Sequence, residues 1–156
     1  MEDNMVEQIL DSNMKKDISR LILESLPDWF GIPEAREQYI ADSAGQIFFA
    51  AKEDGKPVGF LCLKETGKDT VELAVMGVLK EFHRCGIGRE LFISSKNTAV
   101  NNGYSFIQVK TVQMGQYEEY DKTNLFYLSL GFKEFEIFPT LWDEWNPCQI
   151  YVMSLS

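Results

Sequence analysis

The chain has 156 residues, 45% hydrophobic and 25% charged, which suits one soluble domain whose core needs neither crosslinks nor metal. Its net charge of −9 opposes a nucleic-acid backbone and an anionic membrane surface, and draws in a cationic molecule such as an amine. No apolar run reaches the roughly 18–20 residues that span a bilayer, and the acidic start Met1-Glu2-Asp3-Asn4 lacks the basic and apolar parts of a signal peptide, so a cytoplasmic location is expected.

In chain order, Lys15 to Leu26 reads as a helix, because Ile18, Leu21, Ile22 and Leu26 recur at helical spacing and Pro27 stops it. Pro33 suits the first position of a second helix, through about Ala41. Gln46 to Glu53 is an apolar strand, Asp54-Gly55 a hairpin turn and Val58 to Lys64 the returning strand. After a turn at Thr66 to Asp69, the strand Val71 to Val78 completes an antiparallel meander. The period then changes. Ile87, Leu91, Ser95 and Ala99 lie on one helical face, and Gly103 ends that helix. Ser105 to Val112 is the next strand, so strand, long helix and strand predict a right-handed parallel crossover. A short helix, Thr123 to Leu130, closes at Gly131. Phe132 to Phe138 and Gln149 to Leu155 are the last strands, with a tryptophan-rich loop, Pro139 to Pro147, between them. The order predicts one α+β domain over residues 1–156, with a mixed sheet.

Cys62, Cys85 and Cys148 are far apart and form no CxxC pair, and His83 is the single histidine. No metal site and no disulfide framework are expected, and a reducing compartment fits.

The segment Val75 to Arg89 carries the chemistry: a strand enters a glycine-containing turn that opens a helix. The first turn of a helix holds N–H groups without helical partners and the positive end of the macrodipole. Glycines let an anion approach the backbone, and Arg84 and Arg89 add charge, so the turn suits a pyrophosphate. A P-loop would need GxxxxGK[ST], which is absent, and a dinucleotide fingerprint would need GxGxxG in a first βα unit. Here only Gly86-Ile87-Gly88 is present, after a meander. The run His83-Arg84-Cys85-Gly86-Ile87-Gly88 resembles the signature Arg/Gln-x-x-Gly-x-Gly/Ala of the GNAT acetyltransferase superfamily, with His83 in the place of Arg or Gln.

A second segment, Asn124-Leu125-Phe126-Tyr127-Leu128-Ser129-Leu130-Gly131-Phe132, resembles the FYxxxGF segment of the same family. The string FYxxLGF also occurs in the glyoxalase family. Those enzymes hold a metal through histidine and glutamate, and a chain with one histidine does not suit them. The resemblance, from about Met5 to the end, implies a GNAT-like sheet of six to seven strands with about four helices, splayed between strands 4 and 5.

It also implies acetyl-coenzyme A as acyl donor and Tyr127 as the general acid that protonates the leaving thiolate. Asn124, on the same helical face, would reach the donor's pantetheine arm or phosphates. Backbone groups at Met76 and Val78 would bind the pantetheine and polarise the thioester, with Gly77 supplying a bulge. The donor turn comprises His83, Arg84, Cys85, Gly86, Ile87, Gly88 and Arg89. Glu72 is the candidate base. Glu118, Glu119 and Asp121 are alternatives to Glu72 that would form an acidic entrance, and Trp29, Phe30, Tyr39, Trp142 and Trp145 would form an aromatic acceptor site. Cys85 reads as a neighbour of Gly86 and Cys62 as core.

The function expected is N-acetyl transfer to a small amine or peptide amine, by a monomer or by a homodimer formed through Gln149 to Leu155. The alternative is a non-catalytic acyl-CoA-binding sensor. Neither nucleic acid nor membrane is an expected partner.

Overall fold

The computed structural model describes residues 4–155. The acidic start at Met1 to Asp3 lies outside them. Among the described residues seven strands and four α-helices follow in chain order: β1 Asn4–Ile9, α1 Ser12–Glu24, α2 Pro33–Ser43, β2 Ile47–Glu53, β3 Lys56–Gly67, β4 Thr70–Val78, α3 Ile87–Asn101, β5 Phe106–Val112, α4 Glu118–Leu130, β6 Lys133–Asp143 and β7 Asn146–Ser154. A 3-10 turn at Lys80–Phe82 sits between β4 and α3. The strand order in the mixed sheet is β1-β2-β3-β4-β5-β7-β6. The α+β class and the strand count agree with expectation.

The described residues fall into two compact units, 4–64 with 74–98, and 65–73 with 99–155. In the first, β1 and β2 pair antiparallel, as do β2 and β3, across the tight turn Asp54-Gly55 with φ of 52° and 79°. Two adjacent left-handed residues match the strand twist of a two-residue hairpin. The apolar cluster joins Ile18, Ile22 and Leu23 of α1, and Leu26 just after it, to Ile40, Phe48, Phe60 and Val75. Phe48 and Phe60 stack at 5.3 Å. Each such buried side chain contributes roughly 1.5–3 kcal/mol. Leu21 was expected on this face and is instead 51% exposed, with Leu23 taking the inward place. Asp11 caps α1 by accepting the Met14 N–H at 2.8 Å. The buried Lys15 ammonium donates to the Gln46 carbonyl at 2.7 Å, just past the end of α2. Cations at a helix C-terminus meet the negative end of its dipole.

The second unit carries a parallel pair. β4 and β5 are in register over Thr70 to Glu72 against Phe106 to Gln108, and the ladder stops there. This short ladder is the expected splay. β5 then pairs antiparallel with β7 along Phe106 to Val112. α4 ends on Gly131, whose φ of 107° permits the closing hydrogen bonds to Leu128 and Tyr127.

Beyond shifts of a few residues at α1, α2 and β3, three elements depart from the sequence reading. β1, placed against β2, carried too little alternation to be read from sequence. The expected loop Pro139 to Pro147 is mostly strand: β6 continues to Asp143 and the turn to β7 is tight. β6 is an edge strand, where Pro139 removes no obligatory ladder bond. α4 starts at Glu118, five residues before the expected Thr123.

Candidate functional site

In the first unit, β4 delivers the chain to the turn. Met76 and Val78 are half-buried, and Gly77 is buried. A Cβ on Gly77 would lie 3.0 Å from Ile22 Cγ2 and 3.0 Å from Leu26 Cδ1. Glycine there lets α1 pack directly on β4, a reason independent of the bulge expected from sequence. The exposed run His83 to Gly86 follows. Arg84 has φ 67° and Gly86 φ 81°, so a non-glycine residue is held in the left-handed region beside a glycine. Nothing lies within 4 Å of where a Gly86 Cβ would be. The Glu90 N–H donates to the Gly86 carbonyl at 3.1 Å, which opens α3. Ile87 is buried and anchors the helix start, Gly88 is half-buried, and Arg89 and Cys85 are exposed.

This turn fits an anion such as pyrophosphate. It is open to solvent on its outer side, it carries Arg84, and it presents the first N–H groups of a fifteen-residue helix. His83 is placed differently from a phosphate ligand. Its Nε2 bonds the Val78 carbonyl at 2.7 Å, and its ring meets the Trp29 ring edge-on at 5.8 Å.

In the second unit, Glu72 lies at the last residue of the β4–β5 ladder, with its side chain only 8% exposed. Its Oε1 accepts from Lys110 Nζ at 3.2 Å. Lys110 was missed by sequence reasoning, although it is the one charged residue of β5. Tyr127 is 6% exposed among Phe126, Phe132 and Tyr151, with ring centroids 5.7, 5.9 and 6.3 Å away.

Asn124 shares the inward face of α4 with Tyr127, as expected. Its amide is already engaged: both hydrogens donate, to Val112 O at 2.8 Å and Tyr120 O at 2.7 Å. Its oxygen accepts the Tyr151 hydroxyl at 2.6 Å. Asn124 therefore ties α4 to β5 and β7 and has no amide hydrogen left to offer a donor molecule. Tyr151, also missed, is raised above the ordinary phenol range by burial and then by Glu134, which keeps it a neutral donor.

Glu118, Glu119 and Asp121 occupy the first turn of α4, where carboxylates complement the helix dipole, and Asp121 accepts the Gly115 N–H at 2.7 Å. Phe30 and Tyr39 meet edge-on at 5.9 Å, while Trp142 and Trp145 are 45% and 70% exposed. No cluster of candidate metal ligands occurs among the described residues.

The chain belongs to the acetyltransferase (GNAT) family, whose model matches residues 15–132; the class is that of acetyl-transferring enzymes. Solved structures with the same fold include a GNAT-family chain from Desulfovibrio desulfuricans, at 17% identity over 98% of this chain and 99% of that one, with a TM-score of 0.83. An aminoglycoside 6'-N-acetyltransferase complexed with coenzyme A aligns at 20% identity over 97% of each chain, with a TM-score of 0.75. The ribosomal-protein-S18-alanine N-acetyltransferase from Escherichia coli aligns at 17% identity over 98% of this chain and 94% of that one, with a TM-score of 0.76. No curated protein matches the sequence significantly. Among the described residues no helix is long and apolar enough to cross a membrane.

Proposed function

We propose that the chain transfers the acetyl group of acetyl-coenzyme A to an amine by direct attack, with Tyr127 as general acid and Glu72 as base. The observation that carries the reading is the solvent-open, left-handed turn Arg84 to Gly86 at the start of α3. Backbone N–H groups of Gly86, Ile87, Gly88 and Arg89, with the Arg84 side chain, would hold the pyrophosphate; Cys85 is a neighbour in this turn and no nucleophile. The thioester supplies an activated acetyl group. Met76 and Val78 would orient it through their backbone, and Gly77 keeps the strand narrow. Tyr127 would give its phenolic proton to the departing sulfur, while Glu72 takes a proton from the ammonium, directly or through water, and so frees the neutral amine that attacks the thioester carbonyl.

The acceptor in this reading is a small amine or a peptide amine. The net charge of −9 favours a cation. Two of the structural neighbours are named for amines, an aminoglycoside and a ribosomal-protein alanine. Three free cysteines suit a reducing cytoplasm, and the enzyme works as a monomer or homodimer.

The test is thiol release from acetyl-coenzyme A across an amine panel. Tyr127→Phe and Glu72→Gln should each lower turnover about 10²-fold or more while coenzyme A binding survives. One observation favours a second reading, an acyl-CoA-binding module without catalysis: the Glu72 carboxylate is already held by Lys110. Tight binding without turnover on any amine would select that reading, and absence of coenzyme A binding would sink both.

A further inference from the structure

His83 stands where the resemblance calls for arginine or glutamine, and its surroundings give it another task. A carbonyl oxygen only accepts, so the 2.7 Å contact between His83 Nε2 and Val78 O fixes Nε2–H as the donor. The bond spans the 3-10 turn Lys80–Phe82 and returns the donor turn to the end of β4. That strand end is itself held, since the Leu79 N–H donates to Val58 O at 2.9 Å.

The outer side of the ring meets Trp29 edge-on at 5.8 Å. Trp29 is pinned by the same short segment: Lys80 Nζ lies 5.7 Å from its ring centroid and 2.7 Å from Asp28 Oδ2. The Trp29 N–H donates to Leu26 O at 3.2 Å, which fastens it to the end of α1. Two segments distant in sequence, Asp28-Trp29 and Val78 to His83, are thus joined by a ring contact, a cation–π contact and an ion pair. None of these contacts uses Arg84 or Gly86, which keep their left-handed geometry just beyond His83.

We propose that His83 is a positioning residue: its Nε2–H on Val78 O and its ring on Trp29 hold the left-handed turn in its anion-binding shape and couple that turn to the Asp28-Trp29 segment. The inference rests on the reading of this turn as the pyrophosphate site. A side chain that fixes a strained turn pre-organises it, so the ordering cost is met before the ligand arrives. Coupling through shared contacts is reciprocal, so filling the turn is felt at Trp29 and disturbance of Trp29 is felt at the turn.

His83 is the single histidine of the chain, so its imidazole nitrogens give one unambiguous set of NMR signals. The Nε2–H tautomer should be seen near neutral pH in the free protein, and coenzyme A should shift those signals. Calorimetry with coenzyme A should show Kd raised about fivefold to tenfold in His83→Ala and held within about twofold in His83→Gln, whose amide carries a donor toward the same carbonyl. Trp29→Leu should weaken coenzyme A binding about threefold, through loss of its ring contact with His83. Pantetheine, which lacks the pyrophosphate, should bind wild type and His83→Ala alike.

Wild-type coenzyme A affinity in both His83→Ala and Trp29→Leu would overturn the proposal. So would an Nδ1–H tautomer, or a His83→Arg variant that binds tighter while His83→Gln does not rescue, since a phosphate ligand would behave that way. Absence of coenzyme A binding by the wild type would instead sink the reading of the turn, and the tautomer measurement would still decide the bond to Val78.

Discussion

Arg84 and Gly86 share left-handed backbone geometry, with φ of 67° and 81°, but not the same penalty for it. A residue with a Cβ is strained there by roughly 1–2 kcal/mol, and glycine is not. An alanine at Gly86 would meet no neighbour within 4 Å, so its effect isolates the backbone. Gly86→Ala should lower stability by about 1–2 kcal/mol and weaken coenzyme A binding more than it lowers the melting temperature would suggest. Calorimetric titration beside a thermal melt separates the two; unchanged affinity would mean the left-handed turn does not shape the anion site. The glycines of this turn were legible in the sequence because their chemistry is local. The partners of His83 and Asn124 were not. Spacing put Asn124 on the face of Tyr127 correctly, but its partners Val112 and Tyr151 lie 12 and 27 residues away and are met only when β5 and β7 come alongside.

Elements were legible where a period ran long enough. Ile87, Leu91, Ser95 and Ala99, read as one helical face, are all buried. β1 has six residues and sits at the sheet edge, too short for alternation to register. β6 was hidden by Trp142 and Pro139, which resemble loop composition but are compatible with an edge strand that is exposed nearly throughout. The packing of α1 on β4 depends on one missing methyl group. A Cβ at Gly77 would press two branched side chains of the helix region, Ile22 and Leu26, at 3.0 Å each. Both are in the apolar cluster and at most 3% exposed, so neither has solvent to move into. Gly77→Ala should therefore cost about 1–3 kcal/mol through overpacking, read as a lower urea midpoint with unchanged slope. An equal midpoint would show that α1 can retreat from the strand, and that the close approach is not needed for stability.

At the scale of the whole molecule, two effects of rising pH act in the same direction and must be told apart. The chain is acidic, with net charge −9, and further loss of protons increases self-repulsion of the compact state. The buried thiols act more specifically. Burial pushes Cys148 up from 9.0 to about 11, with Lys110 opposing and Glu72 adding. It pushes Cys62 up as well, again against a nearby Lys15. The folded protein thus keeps thiol protons that the unfolded chain releases around pH 9. A group raised on folding contributes stability that is whole below its unfolded pKa and is lost as pH climbs toward its folded one. For Cys148 that loss amounts to about 2 kcal/mol between pH 9 and pH 11; Cys62 and Tyr151 contribute in the same sense. Urea unfolding in reductant from pH 7 to 11 should show stability falling above pH 8.5, and Cys148→Ala should flatten that fall by about 2 kcal/mol even if it lowers the neutral-pH value. General repulsion predicts the opposite pattern, since it depends on total charge and responds to salt: the same slope in wild type and variant, shallower at high ionic strength. A slope insensitive to Cys148 but sensitive to salt would move the cause from the buried thiols to the acidic surface.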